Sequence, residues 1–147
     1  MRRNGFTLIE LLMVIVVSGA ILLIGYPKLN DALISSSVRG ARTTIATMFA
    51  QARAASAQRG QEAHVAFSGN SAVVVVRVAP GSANWADTLG VVRDLNEEYG
   101  VTITRSDDSL SFDPRGFGRN DGAVTITVAR RGHVDTLSVS AFGRMIQ

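Results

Sequence analysis

Twenty-one consecutive residues, Phe6 to Tyr26, carry one charged side chain, Glu10. As a helix rising about 1.5 Å per residue, the run spans about 31 Å, close to the ~30 Å hydrocarbon core of a bilayer. Arg2 and Arg3 precede it and Lys28 follows it, a balance that favours a cytoplasmic N-terminus. The run also explains two averages. Mean hydropathy of the whole chain is +0.20 because apolar residues are concentrated here. Of the net charge of +3, Arg2 and Arg3 supply two; without them thirteen positive side chains face twelve negative ones.

Three readings compete for the run. A secretory signal cut after Ser18-Gly19-Ala20 should lose its apolar character there, yet Ile21-Leu22-Leu23-Ile24 follows. A plain uncleaved anchor has no use for Glu10, whose insertion costs roughly 2.5–3.5 kcal/mol at mid-bilayer. The third reading uses the carboxylate. A cut between Gly5 and Phe6 creates an α-amine at the edge of the apolar helix, one turn from Glu10. Pairing that carboxylate with the amine of a neighbouring subunit offsets both burial costs and fixes the axial register of packed helices.

Gly5-Phe6-Thr7-Leu8-Ile9-Glu10-Leu11-Leu12 resembles the N-terminal signal of type IV pilins and pseudopilins. The resemblance implies that a prepilin peptidase cleaves after Gly5 and N-methylates Phe6. It implies that Glu10 is the assembly carboxylate and that Pro27, where the family often carries a proline, bends the helix or melts it locally. Proline removes one helical hydrogen bond and clashes with the carbonyl four residues back. Alternatively, Pro27 marks only the end of the membrane segment.

Beyond Pro27, Leu29, Leu33, Val38, Ala41, Ile45, Met48, Ala52 and Ala55 recur at helical spacing. They predict an amphipathic helix over 28–59, capped by Gly60. Strands follow. His64–Phe67 and Ala72–Val78 flank Ser68-Gly69-Asn70-Ser71, a hairpin signal. After a loop around Pro80–Trp85 and a short apolar stretch at Leu89–Val92, further strands are expected at Val101–Thr104, Ser109–Phe112, Ala123–Ala129 and Val134–Ser140. Arg130-Arg131-Gly132-His133 joins the last two. The expected fold is α+β, one long N-terminal helix packed on an antiparallel sheet.

The segment Gln51–Gly60 before a Val-rich strand is similar to the helix-to-sheet passage of the GspH/FimT group of minor pseudopilins and pilins. So are Ser111–Gly116 and Ser138–Arg144. The resemblance divides the chain into a leader 1–5, a transmembrane and assembly helix 6–26, its amphipathic continuation 27–60 and a periplasmic sheet domain 61–147. It implies a minor pseudopilin at the tip of a type II secretion pseudopilus, supporting export of folded proteins from the periplasm. The expected place is the bacterial inner membrane, single-pass, with the C-terminal domain periplasmic. The expected partners are the prepilin peptidase, minor and major pseudopilins, and the inner-membrane assembly platform. The alternative is a FimT-like minor type IV pilin for pilus priming or DNA uptake, and a third reading is a membrane-anchored binding module that is never assembled.

No catalytic set is expected. His133 and Asp135 share a strand face while Ser138 faces the other way. Without cysteine, and with His64 and His133 far apart, neither a disulfide nor a metal centre is expected, and no cofactor. Asp107, Asp108 and Asp113 lack a calcium-loop pattern and read as polar turns. Gly116–Gly122 opens no helix, so it reads as a mobile loop, with Phe117 as core or contact surface. Arg144, with Arg130 and Arg131, is the candidate DNA contact. The second arginine of a Gly-Arg-x-Arg motif is missing, so solvated turns are the favoured reading and nucleic acid is not the expected partner.

Overall fold

In the computed structural model, which describes residues 6–77 and 85–146, the chain divides into two compact units, Met1–Ser35 and Ser36–Gln147. The leader 1–5 and the expected loop and strand end at 78–84 lie outside the described residues. The first helix, α1 (Leu8–Arg59), is 52 residues long and continues through Pro27 without a change of helical state. It ends as the sequence predicts. Gly60 adopts φ +61°, and the Gln61 N–H donates to the Ser56 carbonyl at 3.2 Å, a Schellman closure.

Val38, Ala41, Ile45, Met48, Ala52 and Ala55 are buried, as their spacing requires, and Phe49 joins them. Leu29 and Leu33 are exposed, contrary to the expectation. Both lie in the N-terminal unit, and periodicity marks a face without supplying what covers it.

The strands form two four-stranded antiparallel sheets rather than one. β1 (Ala63–Ser68), β2 (Ser71–Arg77), β3 (Trp85–Asp94) and β5 (Ser109–Phe112) make the first, in the order β3-β2-β1-β5. β4 (Thr102–Arg105), β6 (Val124–Arg130), β7 (His133–Val139) and β8 (Met145–Ile146) make the second, in the order β4-β6-β7-β8. Strict alternation in β1, β2 and β6 sends Val65, Phe67, Val74, Val76, Ile126 and Val128 inward. Both sheets bury that side in one core with the second half of α1. Gly69 at φ +57° turns the β1–β2 hairpin, and Arg131 and Gly132, both at positive φ, turn β6 into β7.

Three elements depart from expectation. The stretch at Leu89–Val92 belongs to a ten-residue strand, β3, whose alternation is broken by a bulge at Gly90. β8 is a two-residue strand not among those expected. A short helix, α2 (Leu95–Tyr99), links the two sheets. Asp94 caps it, its Oδ1 accepting from the N–H groups of Asn96 (2.9 Å) and Glu97 (3.1 Å), and Gly100 closes it at φ +66°. Leu95 is fully buried, and Tyr99 reaches α1, its hydroxyl 2.9 Å from Thr44 Oγ1. Gly40 permits that approach, because a Cβ there would lie 2.9 Å from the Tyr99 ring.

Candidate assembly site

Glu10 lies in the first turn of α1, and its setting is built by Thr7. The Thr7 carbonyl accepts from the Leu11 N–H at 3.2 Å, which makes Thr7 the N-cap. Thr7 Oγ1 accepts from the Glu10 N–H at 3.3 Å, and the Thr7 N–H donates to Glu10 Oε2 at 3.5 Å. This reciprocal pair is a capping box. The carboxylate is thus held at the positive end of the helix dipole, where a negative charge is favourable. Thr7 was not singled out from the sequence. The Thr7-x-x-Glu10 spacing was the signal that would have found it.

Around this carboxylate the helix surface is apolar on every side. Phe6, Leu8, Ile9, Met13, Val17, Ile21 and Ile24 are all exposed, and the most apolar 18-residue window has a mean hydropathy of 2.7 with none of it buried. Among the described residues this carboxylate has a polar partner only within its own turn. It can therefore accept a cation brought by another chain once that surface is covered by lipid or by helices. Gly5 lies outside the described residues; Phe6 is exposed at the helix start.

The three arginines considered for nucleic acid differ in setting. Arg130 spends its guanidinium inside the fold, Nη1 donating to Ser37 Oγ at 2.6 Å and to the Tyr99 carbonyl at 2.7 Å. It clamps α2 to α1. Arg131 and Arg144 are exposed, on the β6–β7 turn and on the turn before β8.

The remaining polar clusters serve structure. His133 and Asp135 do share a face of β7, and Asp135 lies 3.5 Å from Arg42 Nε on α1. Asp108 pairs with Arg105, and Asp107 Oδ1 accepts from the Ser109 N–H. Asp113 Oδ1 accepts from the N–H groups of Arg115 and Phe117. Among the described residues no three His, Asp or Glu side chains could hold a metal together. The stretch read as a mobile loop is tied down at its start by Phe112–Gly118 bridging and by the Arg119 N–H donating to Ser111. Glu62 pairs with both Arg77 and Arg119. His64 is half-buried, and burial, with the nearby Arg77 guanidinium, holds its imidazole below the usual value of 6.5.

Residues 1–26 match the prokaryotic N-terminal methylation motif, and residues 41–143 match the family described as type II transport protein GspH. No curated protein matches the chain in sequence. Among solved structures, the chain is similar to the type IV minor pilin FimU of Pseudomonas aeruginosa PAO1 in two crystal forms. The P65 form has a TM-score of 0.57 at 19% identity, covering 74% of this chain and 90% of FimU. The P21 form has a TM-score of 0.55 at 17% identity, covering 82% of this chain and 90% of FimU. At such identity the likeness is one of fold, a long N-terminal helix packed on antiparallel sheets.

Proposed function

The chain belongs to the GspH family, a pilin-like group of structural proteins that carry the methylation motif, and from that premise we propose that it is a minor pseudopilin at the tip of a type II secretion pseudopilus, supporting export of folded proteins from the periplasm. A prepilin peptidase cleaves the leader after Gly5 and methylates Phe6. The apolar first half of α1 holds the subunit in the bacterial inner membrane, with the sheet domain in the periplasm. Assembly then joins it to other minor and major pseudopilins through the inner-membrane platform, and Pro27 lets the helix bend as it packs. The observation that carries this reading is Glu10, an acid capped by its own Thr7 on an otherwise apolar, exposed helix surface. Transfer of that carboxylate from Thr7 to a neighbour's terminal amine satisfies two charges that packing would otherwise strand.

N-terminal mass spectrometry of the membrane-extracted protein tests the processing. A methylated Phe6 terminus is expected, lost in Gly5→Val; an intact Met1 terminus removes the proposal. Glu10→Val should leave processing intact and reduce co-purification with partner pseudopilins by more than about tenfold, since one unpaired charge in lipid is worth over ~1.4 kcal/mol. Unchanged recovery refutes the role given to Glu10.

The FimU-like fold also supports a second reading, a minor type IV pilin that primes pili or takes up DNA. Duplex binding that weakens steeply with salt and is lost in Arg144→Ala would establish the uptake form.

A further inference from the structure

Each sheet ends in two edge strands, β3 and β5 in the first, β4 and β8 in the second. An open edge presents unpaired N–H and carbonyl groups, a template for a further strand. On β5 the outward groups are filled. The Ser109 N–H donates to Asp107 Oδ1 and the Ser111 N–H to Asn120 Oδ1. The Ser109 carbonyl accepts from Asn120 Nδ2, and the Ser111 carbonyl from the Arg119 N–H. On β4 the β1–β2 turn covers the edge. The Ile103 N–H donates to Asn70 Oδ1 at 2.9 Å, and Arg105 Nη1 donates to the Gly69 carbonyl at 2.8 Å. On β3, Gly90, Val91 and Val92 stand opposite Val73 alone, between the pairs Ala72–Arg93 and Val74–Leu89. A bulge of that kind disfavours strand addition.

β7 is different. Its hairpin with β6 turns on Arg131 and Gly132 and closes with the pair Arg130–His133. A two-residue turn makes that closing pair hydrogen-bonded, so His133, Asp135, Leu137 and Val139 direct their backbone groups to β6. Val134, Thr136, Ser138 and Ser140 direct theirs outward, and the Ser140 N–H indeed donates to the Arg144 carbonyl at 2.8 Å. β8 pairs with Ser138 and Val139 alone. The outward backbone groups of Val134 and Thr136 therefore have no partner among the described residues, and both residues are exposed. Beside this open edge lies a groove of about 360 Å³ between α1 and the second sheet, lined by Arg42, Thr43, Ala46, Leu137 and Met145. Met145 and its neighbour Ile146 are 44% and 51% exposed. The free charges around the groove are basic. Arg39, one turn before Thr43, and Arg131 are exposed with no ion pair among the described residues. Asp135, the carboxylate on β7, is held by Arg42.

We propose that the open edge of β7 takes up an extended segment of a companion subunit, a different protein chain, as an added strand. The segment is apolar at alternate residues and carries a carboxylate. Its backbone bonds Val134 and Thr136, its apolar side chains enter the groove against Ala46, Leu137 and Met145, and its carboxylate meets Arg39 and Arg131. This rests on the assembly reading above and names one contact within it. A second copy of this chain does not fit the role. Its β4 and β5 edges are covered, its β3 edge is bulged with Asp87 held by Arg59, and two β7 edges set together oppose basic to basic. An acceptor edge without a matching donor among the described residues joins the subunit to an unlike neighbour. That suits a minor subunit, which does not repeat along a filament.

The full-length chain is expressed in membranes with companion minor and major pseudopilins, and the complex is extracted. Amide hydrogen exchange at Val134 and Thr136 should slow by more than about tenfold in the complex relative to the chain alone. Exchange at Ile103, already bonded to Asn70, should not change. Thr136→Pro removes an outward N–H, leaves the β6 pairing intact and should cut partner recovery several-fold. Arg39→Glu, a substitution on α1 that leaves the strand untouched, should also cut it several-fold. A benzophenone amino acid placed at Val134 should cross-link to an alternating apolar segment with a carboxylate in a companion subunit. Cross-linking to a second copy of this chain, unchanged exchange in a complex that forms, or indifference to both substitutions would overturn the contact. Mass spectrometry of Phe6 in the same samples separates the outcomes. Processed chains that co-purify with partner subunits without protection at β7 refute this contact alone, whereas unprocessed chains, or chains that recover no partner, refute the assembly reading.

Discussion

The two halves of α1 share one helical backbone and differ in what surrounds them. From Leu8 to Ser35 nearly every side chain is exposed, and most are apolar as far as Tyr26. From Val38 to Ala55 a narrow stripe is buried and the other faces carry Arg, Thr, Gln and Ser. A helix apolar all round suits lipid, and a striped one suits a protein core. The difference shows that membrane and core compete for different patterns, even within one unbroken helix.

Truncation should break the comparison most sharply. Ile45→Ala empties a fully buried position and should lower the unfolding free energy of the C-terminal unit by about 2–5 kcal/mol in urea titration. Ile15→Ala, on the exposed half, should leave that titration unchanged. Equal losses would mean that the first half also packs against the sheets.

A smaller effect is expected at the link between the sheets. Asp94→Ala removes the cap of α2, leaving two N–H groups without their acceptor, and should cost about 1 kcal/mol. Hydrogen exchange should speed up at Asn96 and Glu97 but not at the start of α1. The same truncation at Thr7 should loosen the first turn of α1 and leave the sheets untouched.

The smallest effect is on pH. His64 has a folded-state pKa held below 6.5, so the unfolded chain binds its proton first as pH falls. Stability is therefore fully present above about 6.5 and declines below it until the folded-state pKa is passed. His64→Gln should flatten the dependence of the unfolding temperature between about pH 7.5 and 5. An unchanged slope would place the titrating group elsewhere.

How far the fold was legible followed the range of each interaction. The end of α1 at Gly60, the hairpin at Gly69-Asn70 and the turn at Arg131-Gly132 are local, and the sequence marks each with a residue suited to positive φ or a tight turn. α2 was missed because five residues show no periodicity. Its flanks were nonetheless readable: Asp94 with Glu97 three positions on, then Gly100, form a start and a stop signal. β3 was cut short because Gly90 breaks the alternation that identifies a strand. At the assembly site Glu10 was legible, since a charge in an apolar run stands out, while its partner Thr7 is an ordinary polar residue.

By itself the sequence determined the apolar span, its lone carboxylate, the buried stripe from Val38 to Ala55 and the alternating strands. Each depends on neighbours within a turn or along one strand. Only the tertiary structure decided that the strands divide into two sheets and that Leu29 and Leu33 stay exposed. It alone set Arg130 as a clamp on Tyr99 and brought Gly118 onto Gly143. Those outcomes depend on which distant surfaces meet, and hydrophobic burial, being non-directional, does not specify that in advance.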